Sequence, residues 1–262
     1  MPDTDIIQVT PENLSSFSLC GYKNPKCPGY AEKANWVLSR MAEGLMILAV
    51  RASDGSTQGM IEYVPGPECW RPISADDYMV IHCLAVGFRK AYKNKGLGGE
   101  LIRRCEEDAR AMGLAGVAVV TRKGSFMAGD AIFLKRGYSE ADRAAPDFSL
   151  LIKPFGRKAP KASFGPNVAS PPEPFYNGLI IVRADQCPYS VTNVKEISRM
   201  AKVDFKVSPK IVELSSAMEA QHSPAPFGTF GIFYRGKGIA HHPISAARFR
   251  NIMSKLAPLK GS

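Results

Sequence analysis

The densest chemical signal in the sequence is AYKNKGLGGELIRRCEEDAR, Ala91 to Arg110, where glycines and lysines stand directly before an amphipathic helix pattern. A helix N-terminus presents unpaired N–H groups and partial positive charge, and glycines let a ligand approach that backbone, so the arrangement suits a phosphate. Two common phosphate loops, GxxxxGK[ST] and a GxGxxG after the first strand of a doubly wound sheet, do not fit the spacing. Elsewhere, Glu62 in MIEYVPG and His82 in MVIHCLAV place titratable groups among apolar residues, where a pKa shifts toward proton transfer. Trp70 and Arg71 form an aromatic and cationic pair able to hold an acidic or planar acceptor. Cys187 in Cys-Pro-Tyr-Ser precedes a second helix pattern, a position that lowers a thiol's pKa.

The elements that must position these groups follow from periodicity. Tyr30, Ala34, Val37, Leu38 and Met41 recur at helical spacing, stopped by Gly44. LMILAVRA and TQGMIEYVPG, joined by SDGS, predict an antiparallel pair. Tyr78 to Val86 is apolar and too short for a helix, so it predicts a central strand feeding the glycine loop. The helix through Arg110, the turn at Gly113 and GVAVVTRK then make a parallel crossover unit. GDAIFLKRGY predicts a short helix and DFSLLIKPF a last strand.

Residues 153–174, KPFGRKAPKASFGPNVASPPEP, hold six prolines and no periodic pattern. They predict a semi-extended, flexible linker. The chain thus divides into 1–153, a linker over 154–174, and 175–262. The last part reads as strand, helix, strand, helix, two strands and a helix.

Charge divides the same way. Residues 1–152 carry 18 Lys/Arg and 18 Asp/Glu, and residues 153–262 carry 16 and 6, so the whole net charge of +10 lies in the C-terminal part. No stripe of interleaved basic and aromatic residues accompanies it, which argues against nucleic acid and for a solvated basic face or a small acidic ligand. No run of about 18 apolar residues appears, and the first 20 residues are acidic and polar, so no membrane partner is expected and the cytoplasm is the expected compartment. Six cysteines without a CxxC pair fit a reducing environment and no metal site.

Strand, V-x-x-x-x-x-x-K-x-K-G-L-G loop, helix, strand and the later FLKRGY together resemble the GNAT N-acetyltransferases. The resemblance implies an α/β (α+β) fold with a central mixed, splayed sheet, and acetyl-CoA as acyl donor. Its loop positions fall on Lys93, Asn94, Lys95, Gly96, Leu97, Gly98 and Gly99, and Leu84, Ala85 and Val86 would pair with the pantetheine arm. Lys93 stands where that family has Gln or Arg and lacks a planar fork of donors. Phe133, four residues before Gly137, occupies the place of a tyrosine that protonates the leaving thiolate in many members, and cannot donate. His82 or Glu62 is the expected base, with His82 favoured by its place two residues before the pantetheine segment.

The C-terminal βαβαββα order resembles a smaller thioredoxin-like domain with Cys187 at the active-cysteine position. Ser190 replaces the resolving cysteine, and Gly228 stands where that family has a cis-proline. Joined to the first domain, the segment DQCPY…FGTF…HHPISA…RFRNIM is similar to the YoaP-type acetyltransferases. Two functions are implied: acetyl transfer to a small-molecule amine, with a thiol-containing acceptor engaging Cys187, or a thiol-binding or redox protein whose first domain only binds or senses acyl-CoA. His241, His242 and Arg248 are expected near Cys187.

Overall fold

The computed structural model describes residues 3–22, 24–156 and 158–256. In the N-terminal half, strands β1 (Thr4–Gln8), β2 (Met46–Ala52), β3 (Thr57–Pro65), β4 (Ile73–Ser74), β5 (Tyr78–Val86), β6 (Gly116–Arg122), β7 (Ser139–Ala144) and β8 (Phe148–Pro154) are interleaved with helices α1 (Tyr30–Met41), α2 (Leu97–Ala111) and α3 (Ala131–Leu134). Seven strands form one mixed sheet in the order β1-β2-β3-β5-β6-β8-β7. β1, β4 and β7 are short, polar or edge strands that the apolar pattern did not announce.

Successive side chains of a strand alternate faces, and here each face has its own core. Tyr78 and Val80 enter one, together with Trp36 and Val37 of α1. Met79 and Ile81 enter the other, with Leu101, Ile102, Cys105 and Ala109 of α2. A strand buried on both faces reads as the continuous apolar run seen at Tyr78–Val86.

Two irregularities shape the centre. β5 pairs in parallel with β6 only from Tyr78↔Gly116 to Ile81↔Val119, then runs on paired with β3 alone. Across β3, Tyr63 faces Ile81 and Glu62 faces Cys83, so His82 is the extra residue of a bulge. A bulge bends its strand and re-aims its side chain.

The C-terminal half holds β9 (Ser163–Phe164), α4 (Pro166–Ala169), β10 (Leu179–Arg183), α5 (Tyr189–Asp204), β11 (Pro209–Glu213), α6 (Ala217–Gln221), β12 (Phe230–Tyr234), β13 (Lys237–Ala240) and α7 (Ala246–Leu256). Its four-stranded sheet runs β11-β10-β12-β13, with β10 and β11 parallel and the other pairs antiparallel.

The expectation of a flexible, semi-extended linker is corrected. β9 pairs with β4 through Ile73↔Phe164 and Ser74↔Ser163, the Gly165 amide donates to Pro72 O at 2.8 Å, and the Tyr78 hydroxyl donates to Pro160 O at 2.6 Å. Ala162 is fully buried. Proline removed backbone donors from this segment but left enough acceptors and apolar surface to pin it down.

The halves also share an apolar interior: Trp70, Ile73 and Val80 belong to the same buried cluster as Ile197, Phe227 and Phe230. Gly228 shows how close the contact is. It has φ +88°, and a Cβ there would lie 2.4 Å from Trp70 O.

Candidate active site

Between the halves lies a cavity of about 530 Å³ whose wall includes Cys20, Lys33, Glu62, Arg71, His82 and Cys83 from one side and Gln186, Cys187, Tyr189, Phe227 and Thr229 from the other. Leu84 and Ala85, on the stretch of β5 that has left β6, also line it.

Glu62 is its electrostatic centre. Lys33 Nζ donates to Oε2 at 2.5 Å, and Gln186 Nε2 donates to Oε1 at 2.5 Å. Burial alone would raise the Glu62 pKa, but the Lys33 ammonium and then His82 hold it well below the usual carboxylate range. Burial alone would likewise lower Lys33, yet the Glu62 charge keeps it raised and protonated. A buried ion pair of this kind survives only when its remaining hydrogen-bonding capacity is met, which is what Gln186 does.

Arg71 ties the site together. Its Nη1 donates to Trp70 O and to Gln186 Oε1, each at 2.8 Å, and its Nη2 donates to the bulged His82 O at 2.5 Å. Trp70 and Arg71 are both buried, and Trp70 packs edge-on against Trp36 with centroids 5.2 Å apart. The pair is thus not a surface loop: Trp70 is core, whereas Arg71 holds the frame through both Nη atoms and still borders the cavity.

His82 is locked as well. The Trp70 backbone N–H donates to Nε2 at 2.9 Å, so Nδ1 carries the proton and faces Glu62 Oε1 at 3.6 Å. Burial, opposed by Glu62, lowers its pKa to about 4. With that lone pair engaged by a backbone amide, the ring in this arrangement has no free nitrogen for a proton, which argues against the expectation that it is the base.

Cys187 also differs from expectation. It precedes α5, but burial pushes its thiol up to about 12, outweighing the favourable backbone contacts of Tyr189 and Ser190. His242 stacks on Phe126 and His241 packs against Phe148, and neither they nor Arg248 line the cavity.

The glycine loop sits at the start of α2. Gly96 is the N-cap, with φ +79° and no side-chain cap, and a Cβ there would meet nothing within 4 Å. Asn94 is left-handed at φ +58°. Gly98 has a different reason: its Cβ would lie 2.8 Å from Ile132 Cδ1. The first-turn amides at Leu97, Gly98 and Gly99 precede the first intrahelical bond, which Glu100 N–H makes to Gly96 O. Phe133 is fully buried, edge-on to Tyr138, and lines the narrow gap between β5 and β6 with Ile81, Leu84 and Val119.

Reasoning from sequence missed Lys33, Gln186, Cys20, Cys83 and Tyr189. Lys33 was detectable, since it falls three residues after Tyr30 and four before Val37, on the apolar face of α1.

Over 258 residues the chain is 31% identical to a Bacillus subtilis (strain 168) protein described as an uncharacterized N-acetyltransferase, YoaP, covering 96% of this chain and 99% of that one. This chain belongs to the YoaP-like GNAT N-acetyltransferases. Residues 12–138 match the acetyltransferase (GNAT) family and residues 210–251 match the YoaP-like family. Among solved structures, it is similar to a GNAT family N-acetyltransferase (YhbS) from Escherichia coli in complex with CoA, at 13% identity and TM-score 0.44, covering 63% of this chain and 91% of that one. A GNAT family acetyltransferase from Brucella melitensis in complex with acetyl-CoA matches at 16% identity and TM-score 0.40, covering 62% and 94%. Among the described residues, no helix is long and apolar enough to cross a membrane.

Proposed function

We propose that this N-acetyltransferase moves an acetyl group from acetyl-CoA directly to the amine of a small molecule held in the cavity between the two halves. One observation carries the reading: the edge of β5 freed beyond Ile81 borders a cavity built around an ionised carboxylate, and an uncapped helix N-terminus follows along the same crossover.

Residues fit the donor at three places. Amides from Asn94 to Gly99 receive the pyrophosphate, Lys93 and Lys95 add charge, and the backbone of Leu84, Ala85 and Val86 offers the pantetheine amides the hydrogen bonds that β6 no longer makes. When bound, acetyl-CoA supplies an activated thioester carbonyl.

Glu62 draws the acceptor's ammonium group into the cavity, and the amine gives its proton to solvent water before it attacks. Lys33, Gln186 and His82 hold that carboxylate in place. The wall also includes Phe126, Met127, Tyr189 and Phe227, which favours an amine on an apolar or aromatic body. Phe133 gives no proton to the departing thiolate, whose modest basicity lets it leave unassisted.

Calorimetric titration of acetyl-CoA into the protein and into Gly96→Glu tests the donor site. Micromolar binding lost in the variant, with its melting cooperative, supports the reading. Equal binding by both would overturn it. An amine screen with Glu62→Gln as the comparison then tests the acceptor side.

A further inference from the structure

Three of the six cysteines, Cys20, Cys83 and Cys187, open onto the cavity, and acyl transfer as proposed leaves their chemistry unused. Cys20 and Cys83 share one stretch of the cavity wall although one lies in an N-terminal turn and the other on the central strand: the Cys20 N–H donates to Met60 Sδ at 3.2 Å, and Met60 stands two residues from Glu62, which faces Cys83 across the sheet. Both are partly exposed to the cavity. Cys83 sits on β5 immediately before Leu84, a position fixed by pairing with Glu62. Cys20 sits in the turn closed by the Leu19↔Tyr22 bridge, at φ +50° and followed by Gly21 at φ +83°. The turn is thus the partner able to move.

The surroundings distinguish the two thiols. The Cys83 thiol, opposed by burial and helped by the Lys33 charge, lowers the Cys20 pKa, while Cys83 is raised. Those directions, and the place of Cys20 in a turn against that of Cys83 on a paired strand, fit Cys20 as the nucleophile and Cys83 as the resolving thiol. Cys187 stays protonated, and Cys69 and Cys105 are buried.

We propose that Cys20 and Cys83 form a redox-sensitive dithiol in the cavity wall, which hydrogen peroxide converts to a disulfide. The Cys20 thiolate attacks one peroxide oxygen, breaking the O–O bond, and becomes a sulfenic acid; the departing hydroxide takes a proton and leaves as water. Cys83 sulfur then displaces the sulfenic oxygen, which takes the Cys83 proton and leaves as a second water. Two thiols lose two electrons and two protons, and the peroxide gains them. A low-molecular-weight thiol reverses the bond by exchange.

Oxidation ties the turn to β5 beside Leu84. The same turn holds Tyr189, whose hydroxyl donates to Cys20 O at 3.2 Å, so the bond draws both sides of the cavity inward. If the cavity holds the acceptor, as the function proposed above requires, transfer falls in the oxidised protein.

The test treats the full chain with hydrogen peroxide, alkylates the remaining thiols and maps the peptides. A Cys20–Cys83 linked peptide, reversed by dithiothreitol, is expected. In Cys83→Ser, dimedone captures a sulfenic acid at Cys20, and in Cys20→Ser the Cys83 thiol survives. Absence of the link while Cys27 oxidises, or a link to Cys187 instead, overturns the proposal. Acetyl-CoA binding and transfer are measured on the same samples. A linked protein with undiminished transfer removes the regulatory consequence, whereas a reduced protein that never binds acetyl-CoA refutes the function and leaves the dithiol to be judged by mass alone.

Discussion

Gln186, one residue before the cysteine that drew attention in the sequence, donates a 2.5 Å hydrogen bond to Glu62 across the boundary between the two halves. Its carbonyl accepts from Arg71 at 2.8 Å, so a single amide from the C-terminal half completes both the anion and the cation of the N-terminal site. Gln186→Leu removes both bonds while preserving bulk. A loss of about 3 kcal/mol is expected in denaturant unfolding, because the partners left behind are charged and buried.

Lys33→Met should be costlier, by about 3–5 kcal/mol, since it strands a buried carboxylate. Adding Glu62→Gln should recover much of that loss, because the charge that needed Lys33 is gone. Unfolding of both single variants and the double variant measures the coupling between them.

His82 gives the fold an acid sensitivity. Its folded pKa of about 4 lies below the ordinary 6.5, so the unfolded chain takes up the proton first as pH falls. The stabilisation is complete above about pH 6.5 and is lost progressively toward pH 4, by an amount on the order of 3 kcal/mol. His241, lowered to about 4 by burial and then by Arg122, adds a second slope in the same window. His82→Gln, which retains an acceptor for the Trp70 amide, should remove about half of the pH dependence measured by melting at a series of pH values.

Catalysis should lack the plateau expected of a histidine base. Glu62 is held well below the usual carboxylate range and His82 stands at about 4, so neither titrates between pH 6 and 9. With any acceptor found by screening, kcat/KM should rise about tenfold per pH unit until the acceptor's own amine pKa is reached. A plateau beginning near pH 6.5 would restore the imidazole as base.

Gly228→Ala tests how tightly the halves are fitted. The added carbon meets Trp70 O at 2.4 Å and must adopt φ +88°, so separation at this seam or a loss of roughly 2–4 kcal/mol is expected by calorimetry.

What the sequence disclosed depended on the range of the interactions. The apolar run at Tyr78–Val86, the crossover and the C-terminal element order were legible because burial on both faces and helical spacing are local patterns. Glu62 and His82 were legible as polar residues in apolar surroundings. The roles were not: the His82 lone pair is taken by a backbone amide 12 positions away, and Glu62 is completed by a residue 124 positions away. The prolines of the connecting segment suggested a flexible linker and gave no sign of β4, the two-residue strand that receives it.

The interior common to both halves has a consequence for how such a chain can evolve. Domains that behave as beads can be exchanged between genes, because each keeps its own apolar surface covered. Here Trp70, Val80, Phe227 and Phe230 lie in one buried cluster, and the central carboxylate is completed from the other half. A fragment ending at the connecting segment would carry an uncovered apolar face and an incompletely solvated charge. Inheritance of the two parts as one piece follows from that, and so does a single melting transition in which neither part outlasts the other.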